Sequence, residues 1–355
     1  MSDLAPFPTH VVAGREVHRD LPVDLPALAL LDETIDEKIL GPLKYNVPEL
    51  IEATGWSPEE LAELFLWSGT PVGDPEARLY SQGDLDGLKE LKDLAVREDL
   101  SNQSVGTLAR SISFSMERLA LTQVENIVHE LTLQGRTDTA ARIVAAEIAP
   151  EQGEVLLGQI AALWRRNFAG AVHRLTTGAI LHRGVSDDDR QFPLICAVGY
   201  VRIADFTEIT AGFDVDAYAD FVQRFNNSAA DIINAANGRI IKLMGDLAVW
   251  VTANAEASAE IALSLSQLSN TGFPGHLQCS ITWCRVMSIH GDIFGPGVNL
   301  AAKLCEAVPA DGVYIDDEAA AQLSRHSQFS ITAAPTFEIK GLGTITPHLL
   351  TASGI

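Results

Sequence analysis

The sequence predicts an α+β protein in which an N-terminal all-helical domain, residues 1–183, precedes a C-terminal domain of mixed strands and helices, residues 192–355. Two patterns indicate this organisation. Apolar residues recur at helical spacing through the first half, whereas short strand-like runs alternate with amphipathic segments in the second. Between them, residues 184–191 are polar and charged and are closely followed by Pro193, which is typical of a linker.

The N-terminal helices are predicted from caps and from periodic leucines. Ser57 and Glu60 have the spacing of a capping box, and Gly69 supplies a stop signal for the helix between them. Leucines at positions 85, 88, 91 and 94 fall on one face of a following helix. A long helix is expected over residues 104–131, with an apolar stripe along it. We find no metal-ligand set, nucleophile pair or phosphate-binding glycine loop in this half.

The second half opens with a predicted buried strand, LICAVGYVRI, and an amphipathic helix that ends at Gly238. A strand pair around Gly245 and Asp246 follows. Helices and strands then alternate up to a closing hairpin near the C-terminus. This order of elements predicts an α+β sandwich of the ferredoxin-like kind.

Composition and charge exclude several classes of function. The 355-residue chain is 47% hydrophobic and 20% charged, so packed cores are expected rather than disorder. A net charge of -22 argues against a nucleic-acid or anionic-membrane partner, since both require a basic surface. The N-terminus has no signal-peptide pattern and no stretch is apolar enough to span a membrane, so we expect a cytoplasmic protein. Four cysteines without zinc spacing are expected to be reduced thiols: Cys196, Cys279, Cys284 and Cys305.

Four motifs in the second half carry a family resemblance. In chain order they are VGYVRIADFTEIT, NGRIIKLMGD, HGDIFGPGVNLAAKL and FEIKGL. Together they resemble the class III nucleotide cyclase domain, the family that converts ATP or GTP to a 3′,5′-cyclic nucleotide and pyrophosphate. The resemblance covers residues from about 192 to 352. It implies a dimer, and two Mg²⁺ or Mn²⁺ ions held by two carboxylates, which activate the ribose hydroxyl and neutralise the triphosphate.

The resemblance also assigns roles to residues that match the family pattern. Asp246 matches the second metal-binding carboxylate, and Asn299 matches the asparagine that orients the ribose. Lys242 and Asp292 match the pair that recognises adenine in adenylyl cyclases. Lys340 matches a lysine that contacts the phosphates.

Three positions depart from the family pattern. Arg202 stands where the first metal-binding carboxylate is expected, and Lys303 replaces the arginine that stabilises the transition state. Cys284 replaces a glycine. Lys303 keeps the charge but lacks the planar fork of arginine. Arg202 reverses the sign of charge where two dications would bind, and Asp246 alone cannot hold the pair.

Three interpretations of Arg202 follow from these matches. Asp205, three residues later, could supply the missing carboxylate if the strand slipped, although this alignment breaks the flanking matches. Alternatively, the Arg202 guanidinium could pair with bound phosphates in place of the metals. The interpretation that we favour from the sequence is an internal ion pair between Arg202 and Asp246 in an inactive site.

The expected function is therefore an adenylyl cyclase homologue with little or no activity, kept for regulation or nucleotide binding in signalling. The alternatives are an active adenylyl cyclase, and a partner that completes the site of another cyclase chain. The helical half resembles, more weakly, the autoinhibitory domain of mycobacterial-type pH-sensing adenylyl cyclases. That resemblance implies a response to pH through histidines or to a small apolar ligand. The histidines of this half are His10, His18, His129, His173 and His182.

Overall fold

The computed structural model describes residues 35–36, 38–70, 73–181, 194–339, 341 and 343–353, without the side chains of 154 and 174–181. The chain divides into two compact units, Met1–Ala171 and Val172–Ile355. The predicted linker at residues 184–191 lies outside the described residues, so the domain limits drawn from the sequence stay predictions.

Helices make up the first unit, and their limits follow local capping signals. Ser57 accepts a hydrogen bond from the backbone N–H of Glu60, and the Glu60 carboxylate accepts one from Ser57, so the predicted capping box is confirmed. Gly69 ends the same helix in the left-handed conformation. The helices are α1 Val47–Thr54, α2 Pro58–Ser68, α3 Gln82–Arg97, α4 Asn102–Leu133 and α5 Asp138–Leu181, the last of which continues into the second unit.

The core of the first unit lies among α1, α2, α3 and the start of α4. The indole Nε1 of the buried Trp56 donates to the carbonyl of Leu88 at 3.1 Å, which ties α3 to the chain before α2. Gly106 of α4 lies so close to the ring of Trp67 that a Cβ would be 2.6 Å from it. The helix predicted over residues 104–131 is confirmed, since α4 spans Asn102–Leu133, and apolar side chains of its stripe are exposed, including Ile112 at 58%.

The second unit is built on a mixed sheet of eight strands in the order β2-β3-β1-β4-β6-β10-β7, with β5 paired to β4. Its strands are β1 Leu194–Ile203, β2 Arg239–Met244, β3 Leu247–Thr252, β4 Leu277–Ile289, β5 Asp292–Phe294, β6 Val313–Ile315, β7 Phe329–Ala333 and β10 His348–Ala352. A separate hairpin is formed by β8 Phe337–Ile339 and β9 Gly343–Ile345. The helices are α6 Phe206–Thr210, α7 Val215–Ala235, α8 Ala255–Ser266, α9 Pro296–Ala307 and α10 Asp317–Leu323.

Both faces of this sheet carry apolar clusters, which is why β1 is apolar along most of its length. Val201 and Ile203 pack in the cluster that contains residues of α7, α8 and α10. Val198 and Tyr200 belong to the opposite cluster, which contains Val298 of α9. Because side chains alternate along a strand, Arg202 points to the same face as α9. The predicted strand LICAVGYVRI is confirmed at the limits of β1.

One glycine of β1 is required by close packing. Gly199 lies opposite Trp250 of β3, and a Cβ at this position would lie 2.0 Å from the Trp250 ring. The ring is fully buried, and its Nε1 donates to the Ser258 hydroxyl at 3.0 Å. The predicted α+β order is confirmed, with a helical region followed by a mixed sheet. In the described part of the chain, no helix has the length and apolar character needed to cross a membrane.

Candidate functional site

The first pair of predicted site residues meets at the edge of the sheet. Lys242 of β2 and Asp292 of β5 form an ion pair in which Nζ and Oδ2 are 2.7 Å apart. The side chains are 40% and 27% exposed, so the pair is open to a ligand on one side. A register shift in the β2–β3 ladder between Ile240 and Lys242 lies directly before this lysine. The two residues that the family resemblance assigns to adenine recognition are therefore in contact.

The surroundings of Asp292 fix its carboxylate. Its Oδ1 accepts a hydrogen bond from the backbone N–H of Ile293 at 2.8 Å, which leaves Oδ2 for Lys242. Burial raises the pKa of Tyr200, and the Asp292 carboxylate raises it further. Tyr200 is therefore a neutral phenol beside the pair, and no sequence pattern indicated that it would be part of the site.

Arg202 and Asp246 come together at the end of β1, but only through the backbone. The N–H of Ile203, the residue after Arg202, donates to the Asp246 carbonyl at 2.9 Å. Among the residues that the structure describes, no ion pair joins the Arg202 guanidinium to the Asp246 carboxylate. The internal ion pair favoured by the sequence is therefore not formed.

The Arg202 side chain lies beneath α9. Its Nε is buried and has no hydrogen-bond partner within the described residues. Its guanidinium interacts electrostatically with the buried thiol of Cys305 on α9. Burial raises the pKa of Cys305 to about 12, with Arg202 opposing the rise, so this thiol carries no charge that could neutralise the guanidinium at neutral pH.

Asp205 lies beyond the end of β1 rather than in the position of Arg202. The N–H of Ala204 donates to the His276 carbonyl at 2.8 Å, so the sheet hydrogen bonds continue without a slip as far as this residue. Asp205 itself is exposed, has a positive φ of 52°, and makes no side-chain capping bond at the start of α6. The alignment that would place Asp205 in the metal position therefore has no support in the strand register.

These residues do not fit the pair of divalent ions that the family uses. Of the two positions at which the family resemblance expects a carboxylate, Asp246 has one and Arg202 has a guanidinium. At a separation of about 4 Å and an effective dielectric near 20, a guanidinium and a dication repel each other by about 8 kcal/mol. Asp246, which is half-buried in the β2–β3 turn, would have to offset this repulsion alone.

Helix α9 presents two further predicted residues to solvent. Asn299 and Lys303 are both exposed and lie four residues apart, hence on one face of the helix. The Lys303 ammonium pairs with Glu306 at 2.7 Å within the same helix. Lys340, the predicted phosphate contact, lies outside the described residues.

Cys284 packs against α9. A Cβ added to Gly297 would lie 2.3 Å from the Cys284 Cβ, so the helix approaches β4 at this point through a glycine. Thr282 supports the same contact, since its hydroxyl donates to the Gly297 carbonyl at 3.0 Å. Burial raises the pKa of the Cys284 thiol to about 11. All four cysteines are free thiols, as expected from the sequence.

A half-buried carboxylate that follows β6 and contacts β4 was not singled out by the sequence. Asp316, the cap of α10, accepts hydrogen bonds from the N–H groups of Trp283 and Ala319 through one oxygen. Burial raises its pKa to about 6, and these hydrogen bonds only partly oppose the rise. The only sequence signal is an aspartate before an apolar helix, which indicates a cap but not its burial.

The chain is similar to known proteins over most of its length. No protein-family model matches the chain. The chain is 27% identical over 329 residues to a protein named adenylate cyclase from Glutamicibacter nicotianae, covering 90% of this chain and 82% of the relative. A second adenylate cyclase, from Streptomyces coelicolor, is 29% identical over 81% of this chain and 74% of its own length. The uncharacterized protein Rv2212 from Mycobacterium tuberculosis is 26% identical over 75% of this chain and 69% of its own length.

Solved structures are similar to the second unit alone. The adenylyl cyclase CyaB from P. aeruginosa matches 45% of this chain and 95% of its own, at 20% identity and a TM-score of 0.39. The guanylate cyclase domain of RhGC from Catenaria anguillulae matches 45% and 97%, at 18% identity and a TM-score of 0.42. Over most of its length the chain is therefore similar to bacterial proteins named adenylate cyclase.

Proposed function

We propose that the second unit binds ATP and forms cAMP very slowly or not at all, as a pseudocyclase with a regulatory or nucleotide-binding role. The observation that carries this proposal is the contrast between two pairs of residues. Lys242 and Asp292 are 2.7 Å apart and open to solvent, whereas Arg202 stands at the metal position without a carboxylate partner among the described residues.

The Lys242–Asp292 pair favours adenine over guanine on chemical grounds. A lysine ammonium donates hydrogen bonds, and adenine N1 is an acceptor; a carboxylate accepts, and the exocyclic amino group of adenine is a donor. Guanine presents the opposite pattern, since its N1 carries a hydrogen and its O6 is an acceptor. A site built for one pattern rejects the other because buried polar groups are left unpaired.

Turnover requires more than binding. The ribose hydroxyl must lose its proton as pyrophosphate leaves, and divalent ions supply that activation in the family. At this position Arg202 offers positive charge but cannot lower the pKa of a coordinated hydroxyl. Lys303 offers a single point of charge where a planar guanidinium would hold an oxyanion at two points. Both substitutions therefore support slow chemistry rather than loss of binding.

The exposed face of α9 supports a dimer as the working form. Asn299 and Lys303 face solvent, whereas Lys242 and Asp292 lie on β2 and β5, so in a dimer the α9 residues could act on a nucleotide held by a second chain. We propose a homodimer, with a heterodimer as the alternative. In a heterodimer another cyclase chain would supply both metal-binding carboxylates and hold the Mg²⁺ or Mn²⁺.

The helical unit is proposed to regulate this site in response to pH or to an apolar ligand. A pocket between Trp56, Leu64 and Trp67 has a volume of about 10 Å³, which is room for one water molecule. A ligand of any size would therefore need this pocket to open. The proposal of a sensing role rests on the resemblance of this half to autoinhibitory domains.

The test uses the full chain, with binding of ATP and GTP analogues measured by calorimetry and cAMP formation measured with Mg²⁺ and with Mn²⁺ from about pH 5 to 8. We expect tighter binding of the ATP analogue and no robust formation of cAMP. Robust turnover by the purified chain would contradict the proposed loss of activity and favour the second candidate, an active cyclase. Asp205→Ala would then show whether the exposed Asp205 supplies the missing carboxylate.

A further inference from the structure

The feature that the proposed chemistry leaves unexplained is the Arg202 side chain, whose Nε has no hydrogen-bond partner among the described residues. Arg202 lies one residue from the end of β1, opposite Leu247 of β3 and Gln278 of β4. Its Nε is buried and makes no hydrogen bond within the described residues. Burying a guanidinium nitrogen is unfavourable unless an acceptor is available, so this position is poised to gain from an acidic or anionic partner.

No group around Arg202 in the described part of the chain provides that partner. Cys305 above it is a neutral thiol whose Sγ already donates to the Gln278 carbonyl at 3.2 Å. The Asp246 carboxylate is not within ion-pair distance, although its backbone carbonyl is bound to the N–H of Ile203. The end of β1 and the β2–β3 turn are therefore joined by a backbone hydrogen bond, whereas the Arg202 guanidinium and the Asp246 carboxylate form no ion pair among the described residues.

We infer that the Arg202 guanidinium is an anion subsite that binds the polyphosphate of a nucleoside triphosphate in place of the metal pair used elsewhere in the family. Because this subsite would serve the nucleotide binding proposed above, the inference rests on that proposal. A guanidinium matches phosphate oxygens with two parallel hydrogen bonds and needs no divalent ion to do so. Binding of the nucleotide should then be independent of metal.

Loss of the Asp246 carboxylate should have opposite effects on nucleotide binding, depending on whether metal ions or the Arg202 guanidinium bind the phosphates. When metal ions bridge the site to the phosphates, the carboxylate is a ligand and its loss weakens binding. When a guanidinium binds the phosphates directly, the same carboxylate is a nearby negative charge that repels them. Asp246→Asn should therefore strengthen metal-free binding or leave it unchanged.

The experiment is calorimetric titration of the full chain with a non-hydrolysable ATP analogue, in EDTA and in Mn²⁺. We expect dissociation constants that agree within about threefold between the two buffers. Arg202→Gln should weaken binding in EDTA by about tenfold or more, the loss of a charge-assisted hydrogen-bonded contact. The matched control is Arg224→Gln, since Arg224 is an exposed arginine of α7 in the same unit and should leave binding unchanged.

Each outcome distinguishes the subsite from the proposed function. Binding that requires Mn²⁺, or an Asp246→Asn variant that binds tenfold more weakly, would overturn the subsite and leave nucleotide binding intact. Absence of binding in both buffers by a chain that unfolds cooperatively would overturn the proposed function and the subsite together. The comparison of buffers uses the unaltered chain, so a misfolded Arg202→Gln variant would not weaken the test.

Discussion

The candidate site has two ends, which we propose to bind adenine and phosphate, and each carries one cation and one carboxylate from neighbouring strands or turns. At the adenine end, the Lys242 ammonium reaches Asp292 at 2.7 Å. At the phosphate end, Arg202 and Asp246 are joined only through the backbone of Ile203, and no side-chain ion pair forms between these described residues. Charges of opposite sign at adjacent positions are thus not sufficient for an ion pair.

The difference follows from where each cation sits in the sheet. Lys242 follows a register shift on the edge strand β2 and is 40% exposed, so its long side chain can turn towards β5. Arg202 is hydrogen-bonded on both sides within a central strand, and α9 covers it. Its guanidinium lies on the α9 side of the sheet, whereas the Asp246 side chain belongs to a turn at the end of the hairpin. The adenine end is an ion pair, whereas at the phosphate end the buried Arg202 Nε has no hydrogen-bond partner among the described residues.

The largest expected effect is a loss of stability of the second unit, which would disrupt both ends of the candidate site. Gly199→Ala places a Cβ 2.0 Å from the buried Trp250 ring, and we expect the free energy of unfolding of the second unit to fall by about 3 kcal/mol. Urea unfolding followed by circular dichroism would measure this change. Gly212→Ala is the matched control, since a Cβ there meets no atom within 4 Å. Equal stability of the two variants would contradict the assigned packing of β1 on β3.

A smaller expected effect is on how the free energy of unfolding depends on pH. It distinguishes titration of Asp316 from titration within the candidate site. The folded pKa of Asp316, about 6, lies above that of an unfolded aspartate, so its ionisation destabilises the fold. This contribution is absent at pH 4 and is felt in full once the pH exceeds about 6. Asp316→Asn keeps both accepted hydrogen bonds and should stabilise the chain by about 2 kcal/mol at pH 7.5, but not at pH 4.

Urea unfolding of the wild-type chain and of Asp316→Asn at several pH values would test this prediction. A difference between the two that does not change from pH 4 to pH 7.5 would mean that Asp316 titrates normally. Glu318→Gln is the matched control, because Glu318 is exposed and lies in the first turn of the same helix. If cAMP formation or nucleotide binding depends on pH in the same way in Asp316→Asn and in the wild type, the groups responsible belong to the candidate site and do not include Asp316.

The smallest expected effect acts on the adenine end alone. Lys242→Ala removes the donor to adenine N1 and leaves the Asp292 carboxylate unpaired, so binding of the ATP analogue should weaken by about tenfold. Binding of inorganic triphosphate, which has no base, should not change. Calorimetry with both ligands measures the two ends separately. Equal losses for both ligands would show that Lys242 contacts the phosphates and not the base.

Local signals in the sequence were enough to predict many elements. Ser57, Glu60 and Gly69 set the limits of α2 because capping depends on residues a few positions apart. Alternation and apolar runs predicted β1 and its neighbours for the same reason. The helix α4 was also predicted, but its periodic apolar stripe is largely exposed, including Ile112 at 58%. Periodicity identifies a helix face without saying what covers it.

The sequence by itself determined which residues are proposed for the site: Lys242, Asp246, Asp292 and Asn299 match the pattern of the family that the chain resembles, and Arg202 does not. Only the tertiary structure decided which of them touch. Strand register brings Lys242 to Asp292, whereas the unbroken hydrogen bonds of β1 and the cover of α9 hold Arg202 away from Asp246. Pairing depends on where backbone hydrogen bonds fix each Cβ, and that geometry is set by residues far apart in the chain.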